Sequence, residues 1–186
     1  MGIDPSVSST AVVATEGSEH IGTTIIKPAK GLAENRRYLN IAEQVLTALV
    51  LYAPNTVGIE GFSLNSRGAG VSKMYGVGWA IRFVMMYNEY DFAEVPPSTW
   101  KKYVGGKARK KGAGKPEISA AVLERWGYSH TVQDAYDAYA ISRLMGEYAK
   151  GSLLDTDTYL TISKATRANA FKISARNCTK ASQGLV

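Results

Sequence analysis

One stretch of the sequence, residues 134–140, reads Asp-Ala-Tyr-Asp-Ala-Tyr-Ala and is followed by apolar residues at helical spacing. This pattern predicts a helix that begins with two acids one turn apart, so Asp134 and Asp137 should project from the same face. The alanines between them would let another segment pack closely, which removes water from the carboxylates and raises the cost of ionising both. A simpler interpretation, that both acids complement the helix dipole, stays open from this stretch alone.

The composition favours one globular domain that does not span a membrane. The chain has 186 residues, 45% of them hydrophobic, and no apolar run long enough to cross a bilayer. One cysteine, Cys178, and two isolated histidines, His20 and His130, argue against a disulfide, a zinc site and histidine-based nucleophilic catalysis. The first residues lack a basic region followed by an apolar core, so we expect a cytoplasmic protein without a secretion signal.

The positive charge is concentrated in one segment. The formal net charge is +6, and residues 100–115 contain seven basic residues and no acid: Lys101, Lys102, Lys107, Arg109, Lys110, Lys111 and Lys115. A polyanion is the natural partner of such a patch, although a solvated charged loop is equally compatible with it.

Hydrophobic periodicity predicts alternating strands and helices. Three strands at residues 2–4, 9–14 and 21–26 should form an antiparallel meander, and a helix over 35–51, with Asn35 as a candidate cap, should follow. We expect the later elements to be a buried strand at 56–61, a helix over 70–90, a strand at 92–95, and helices over 98–103, capped by Ser98, and 117–126. Gly76 and Gly78 would permit a close approach to the second long helix.

Two further acids lie at predicted strand ends. Asp4 ends the first strand and Glu60 ends the buried strand, so parallel pairing of these strands would make the two acids neighbours. With Asp134 and Asp137 they form a set of four carboxylates. Because no histidine or cysteine accompanies them, this set suits Mg²⁺ or Mn²⁺ rather than zinc. Two such ions about 3.5–4 Å apart could activate a water and steady the leaving oxygen of a phosphodiester.

Four motifs together resemble the RuvC family of Holliday-junction resolvases. They are residues 2–6 (Gly-Ile-Asp-Pro-Ser), Ile59-Glu60 with the loop and glycine-bearing helix that follow, residues 97–115, and residues 134–140. They occur in the family's order and at similar spacing, from the start of the chain to about residue 150. The resemblance implies an α/β, RNase H-like fold: a mixed five-stranded sheet, three antiparallel strands and then parallel strands, flanked by helices.

The resemblance also implies a function in DNA recombination and repair. A RuvC-like protein would be a structure-selective, two-metal-ion endonuclease, a crossover junction endodeoxyribonuclease. As a homodimer it would resolve Holliday junctions and other branched DNA by paired hydrolysis. Matched residue by residue, the catalytic and metal-binding acids are Asp4, Glu60, Asp134 and Asp137, which would bind two Mg²⁺ or Mn²⁺ ions per active site.

The resemblance identifies the DNA-contacting residues less directly than the acids. Lys107, Lys110 and Lys115 fall in the family's basic, DNA-contacting segment. The full set of candidate contacts is Arg67, Lys73, Lys101, Lys102, Lys107, Arg109, Lys110, Lys111 and Lys115. Phe62, in the loop after Glu60, is the candidate junction wedge.

Some features depart from the family pattern. Only three residues precede Asp4, Ser6 replaces the usual glycine, and residues 61–67 only approximate the aromatic wedge region. We assign residues 1–150 to the nuclease domain and residues 151–186, which have no family counterpart, to a basic C-terminal extension. Such an extension fits a divergent, phage-type member acting at the nucleoid or in a host cytoplasm.

Alternatives remain for the function and for single residues. A non-catalytic RNase H-like nucleic-acid-binding module would keep the fold without turnover, whereas a sugar-kinase or actin-like ATPase needs a longer chain for its two lobes. Val77, Ile81 and Val84 fit the face of the helix over 70–90 that packs against the core. Three residues of this helix lie outside that face and mark a candidate dimer interface: Trp79, Met86 and Tyr87. Tyr136 and Tyr139 are interpreted as core residues rather than base-stacking platforms.

Overall fold

The computed structural model describes residues 1–62, 68, 70–105, 108 and 113–151. Within these ranges, five strands and five helices follow one another as β1 (Gly2–Asp4), β2 (Thr10–Glu16), β3 (Glu19–Ile26), α1 (Glu34–Tyr52), β4 (Gly58–Glu60), α2 (Val71–Tyr87), β5 (Ala93–Val95), α3 (Pro97–Val104), α4 (Lys115–Trp126) and α5 (Asp134–Ala149). No helix in the described ranges is both long and apolar enough to cross a membrane.

The strands form one mixed sheet in the order β3-β2-β1-β4-β5. Strand β2 pairs with both β1 and β3 in antiparallel fashion, whereas β1 pairs with β4, and β4 with β5, in parallel. Ile3 lies opposite Ile59, so Asp4 and Glu60 end neighbouring parallel strands at one edge of the sheet. The predicted strand arrangement is confirmed.

Helices cover both faces of the sheet, which explains why the central strands are apolar on both sides. Alternate residues of β2 point to opposite cores: Val12 belongs to the core under α1 and α2, and Val13 to the core under α3, α4 and α5. Tyr136 and Tyr139 of α5 are 8% and 2% exposed, which confirms their interpretation as core residues.

Helix α5 packs directly against the backbone of β1. A Cβ atom added to Gly2 would collide with the carbonyl oxygen of Ala138 and the amide nitrogen of Ser142. The expectation that the small residues of α5 admit a close neighbour is therefore confirmed. Close approach also occurs at α2, where Gly76 faces the ring of Tyr38 and Gly78 faces the ring of Phe62.

Two predicted helix caps are wrong. Helix α1 begins one residue earlier than predicted, with Ala33 as its N-cap, and the Asn35 side chain instead accepts a hydrogen bond from the Arg36 amide. Helix α3 begins at Pro97, ahead of the proposed Ser98 cap. Proline fits there because the first turn of a helix has no partner for its N–H groups.

Substituting Gly2→Ala should destabilise the fold by about 1–3 kcal/mol, because the obstructing atoms belong to the α5 backbone and cannot move aside. Gly146→Ala, on the same helix, is the matched control: nothing lies within 4 Å of the added Cβ. Replacing glycine with alanine in a helix interior should stabilise the protein by about 0.5–1 kcal/mol. Urea unfolding of both variants measures these changes, and an equally stable Gly2→Ala variant would contradict the packing described.

Candidate active site

Asp4 and Glu60 form the innermost part of a carboxylate cluster at the edge of β1 and β4. Asp4 is 6% exposed, and its side chain shares a hydrogen bond with that of Glu60. The indole Nε1 of Trp100, a fully buried residue of α3, donates to Glu60 Oε1 at 3.1 Å. The carboxylate of Glu60 is thus held from two sides.

The two acids of α5 face this pair from the first turn of the helix. Asp137 interacts electrostatically with Asp4 and Glu60. Asp134 Oδ1 accepts a hydrogen bond from Lys115 Nζ at 2.7 Å, an ion pair in which the lysine is 61% exposed and the aspartate 16%. The structure therefore brings all four predicted acids to one edge of the sheet.

Mutual repulsion and burial raise the pKa values of three of these acids. Burial raises the pKa of Asp4 well above its usual value, and the charges of Glu60 and Asp137 add to this. Burial also raises the pKa of Glu60, although hydrogen bonds from Asp4 and Trp100 oppose the rise. The pKa of Asp137 rises to about 7, first because of burial and then because of Glu60. A helix N-terminus acting alone would lower it, so the dipole interpretation does not account for Asp137.

Two lysines supply positive charge beside the cluster. The ammonium groups of Lys101 and Lys115 both oppose the rise in the pKa of Asp137, and Lys101 does the same for Glu60. The hydrogen bond to Asp134 in turn raises the pKa of Lys115. Both lysines are among the predicted DNA-contacting residues, and both lie beside the carboxylate cluster.

The chemistry of the donor set fits hard divalent cations, since the cluster offers only oxygen ligands and carries an excess of buried negative charge. The spacing of these side chains is less favourable for a metal ion. Among the described residues, no group of three or more acids, histidines or cysteines is spaced to hold a metal ion as it stands. The Asp4–Glu60 hydrogen bond and the Asp134–Lys115 pair direct these carboxylates toward a proton and an ammonium group.

The other predicted contact residues differ in their surroundings. Phe62 is half-buried and lines a cavity of about 500 Å³ together with Glu60 and Lys101. Lys73 pairs with Glu34 of α1 at 3.3 Å, and Lys102 is an exposed residue of α3. The remaining candidates lie outside the described residues: Arg67, Lys107, Arg109, Lys110 and Lys111.

Sequence reasoning missed two side chains that hold Glu60. Trp100 carried no signal beyond its size, although a buried indole N–H needs an acceptor. Arg82 donates to the backbone carbonyl of Glu60 at 3.0 Å. Its burial could have been predicted from the sequence, because it lies four residues after Gly78 on the buried face of α2. A charge on a buried helix face requires partners.

Comparison with solved structures identifies the architecture. A Thermus thermophilus RuvC structure matches with a TM-score of 0.60 and 19% identity, over 81% of this chain and 95% of that chain. A structure of T. thermophilus RuvC in complex with Holliday junction substrate matches with a TM-score of 0.65 and 22% identity, over 81% of this chain and 94% of that chain. The chain has the RuvC fold. Compared by sequence, it matches no protein-family model and no curated protein.

The raised pKa values predict how stability depends on pH in metal-free protein. Folded Asp137 keeps its proton up to about pH 7, whereas the unfolded residue loses it near pH 3.9. The folded state therefore binds more protons in this window, and the free energy of unfolding should rise as the pH falls from about 7.5 to about 5. Urea unfolding in the presence of a chelator measures this slope.

Asp137→Asn should remove part of the slope and, at pH 8, stabilise the metal-free fold by about 0.5–2 kcal/mol, because it removes a repelled charge. Asp134→Asn is the matched control from the same helix turn. It loses an ion pair with Lys115 and should not gain stability. A slope that is the same in Asp137→Asn and in the unsubstituted protein would contradict the assignment of the pH dependence to Asp137.

Proposed function

We propose that this protein is a structure-selective DNA endonuclease, a crossover junction endodeoxyribonuclease that resolves Holliday junctions and other branched DNA by metal-dependent hydrolysis. The observation that carries the proposal is the cluster of four carboxylates at the edge of β1 and β4, with Lys101 and Lys115 beside it. The cluster lies on a fold shared with a RuvC structure solved in complex with Holliday junction substrate. Such a nuclease would act in DNA recombination and repair in the cytoplasm or at the nucleoid.

The four acids have different roles in this proposal. Asp4, Glu60 and Asp137, whose charges act on one another, would bind the cations, and Asp134 would join them by exchanging Lys115 for a metal. Two bound Mg²⁺ or Mn²⁺ ions would supply an activated water and steady the leaving oxygen. Lys115 would then be released to contact a phosphate of the DNA.

The basic residues would hold the DNA backbone across this edge. Lys101 and Lys115 lie at the acids, and Lys102, on the same helix as Lys101, is exposed. By sequence position we add Arg67, Lys73, Lys107, Arg109, Lys110 and Lys111. Phe62, which lines the same cavity as Glu60, would act as the junction wedge. The division into a nuclease domain over residues 1–150 and a basic extension over 151–186 stays a prediction.

Paired cleavage of opposed strands requires two active sites, and the outer face of α2 is our candidate for the homodimer interface. Trp79, Phe83 and Tyr87 are 47%, 61% and 90% exposed, and the first two rings stack at 5.6 Å. Beside them lies an open groove of about 630 Å³ that Phe83 and Met86 help to line. Met86 itself is half-buried against the core, so it contributes less to this face than its sequence position indicated.

A nicking assay on a synthetic four-way junction tests the proposed activity. The unsubstituted protein should cut only when Mg²⁺ or Mn²⁺ is added. Asp137→Asn should abolish cutting, because it removes a metal ligand, and should preserve or improve junction binding, because it removes a negative charge facing the phosphates. Glu124→Gln, an exposed acid of α4, is the control and should cut normally. Normal cutting by Asp137→Asn would remove this residue from the mechanism, and junction binding without any cutting by the unsubstituted protein would favour the non-catalytic module.

A charge on the exposed face of α2 should separate the dimer. Phe83→Glu should give a monomer in light scattering and convert the linear product of a cruciform plasmid into a singly nicked circle, because the two cuts are no longer made together. Leu123→Glu is the matched control, since Leu123 is an exposed apolar residue of α4 at 50% exposure. A monomeric unsubstituted protein, or a dimeric Phe83→Glu variant, would refute the interface.

A further inference from the structure

Arg82 is a charged side chain buried between α2 and the sheet, at 1% exposure. Its three nitrogen groups each have an acceptor on a different element. Nε donates to Glu94 Oε1 on β5 at 2.7 Å, and Nη1 donates to the carbonyl of Gly78 on α2 at 2.9 Å. Nη2 donates to the carbonyl of Glu60 at the end of β4 at 3.0 Å. One guanidinium therefore joins a helix to two parallel strands.

The same guanidinium also supports Phe62. Its central carbon lies 4.2 Å from the centroid of the Phe62 ring, a cation–π contact. Gly78 makes this arrangement possible, because a Cβ atom there would collide with the Phe62 ring and would lie 3.1 Å from Arg82 Nη1. Arg82 thus contacts both Glu60 and Phe62, which lies two residues after Glu60 and lines the cavity.

Stability alone does not explain a charge in this position. A buried ion pair seldom stabilises a fold more than apolar side chains of similar volume, since removing two charges from water is costly. Glu94 is only partly buried, at 34% exposure, so its side chain retains contact with water. What an apolar residue could not supply is a donor to the Glu60 carbonyl. The planar guanidinium is suited to this because it presents several donors in fixed directions.

We propose that Arg82 is a positioning residue for Glu60. It fixes the backbone of Glu60 from within the layer between α2 and the sheet, while Trp100 fixes the carboxylate from the opposite side. Glu60 is thereby fixed at both its backbone and its carboxylate, so it needs only to release the hydrogen bond that it shares with Asp4 in order to bind a divalent cation. The proposal rests on the nuclease function argued above, and it assigns to Arg82 a part of the metal affinity.

Three variants separate positioning from structural support. Arg82→Lys keeps the charge beside Glu94 but cannot reproduce the three fixed donors. The double variant Arg82→Met/Glu94→Gln removes the charge from both partners, so it should fold while lacking the donor to Glu60. Glu94→Gln alone is the matched control, because it changes the partner of Nε and leaves the bond to the Glu60 carbonyl in place.

Direct Mn²⁺ binding, followed by electron paramagnetic resonance, is the main measurement, together with urea unfolding and junction binding in chelator. Arg82→Lys and the double variant should bind Mn²⁺ at least about tenfold more weakly, the effect expected when a group supporting a metal ligand is lost. Glu94→Gln should bind Mn²⁺ and junctions like the unsubstituted protein. Metal-free junction binding should be unchanged in Glu94→Gln, which keeps the guanidinium under Phe62; because the other two variants alter that contact, their Mn²⁺ affinity is measured without DNA.

Folded Arg82→Lys with unchanged Mn²⁺ affinity would overturn the proposal. So would a loss of affinity that Glu94→Gln shows to the same degree, or an Arg82→Lys variant that fails to fold while Glu94→Gln folds, because both results indicate structural support only. If the unsubstituted protein neither binds Mn²⁺ nor nicks a junction, the proposed nuclease function fails instead. The two failures are therefore distinguishable.

Discussion

The parallel pairing of β1 with β4 is the constraint on which the site depends. Ile3 and Ile59 lie opposite each other and are fully buried in the same core, so a one-residue shift of either strand would turn its isoleucine to the opposite face of the sheet and lose this packing. With the register set, the next residue of each strand is an acid, and the two carboxylates meet at the sheet edge. Burying these isoleucines contributes about 1.5–3 kcal/mol each. The apolar core thereby offsets the cost of burying Asp4 and Glu60, which raises the pKa values of both acids together with repulsion from the neighbouring carboxylates.

The remaining charges are brought to this edge by helices rather than by strands. Gly2 lets α5 pack on the β1 backbone, which places Asp137 over the strand ends. Helices α3 and α4 then pack against α5 and contribute Lys101 and Lys115 from segments that are distant in sequence. Active sites of open parallel sheets form at the carboxyl ends of the strands, and this site follows that rule.

Local patterns in the sequence were sufficient to place most strands and helices and to put the four acids at strand ends and in one helix turn, whereas the mixed five-stranded sheet was expected from the resemblance to the RuvC family. Strand alternation, helical spacing and acids at strand ends are each visible within a few residues. Long-range side-chain contacts are not visible in this way. The Arg82–Glu60 bond spans 22 residues and the Trp100–Glu60 bond spans 40. The acceptor for Arg82 is the backbone carbonyl of Glu60, and any residue type would supply that group. Helix ends also differed by one to three residues, since the terminal N–H and C=O groups of a helix have no partners within it and its ends are weakly defined by the sequence.

Helix α2 connects the two halves of the proposed function. On its exposed side Phe83 stacks on Trp79, and Trp79 lies 5.5 Å from Phe62 between ring centroids. Phe62 in turn covers the guanidinium of Arg82, which binds the Glu60 carbonyl. Contacts therefore run without interruption from the candidate dimer face to a candidate metal ligand. A subunit that buries Trp79 would restrict Phe62 and, through Arg82, the end of β4, so that assembly of the dimer and order in the carboxylate cluster would depend on the same helix.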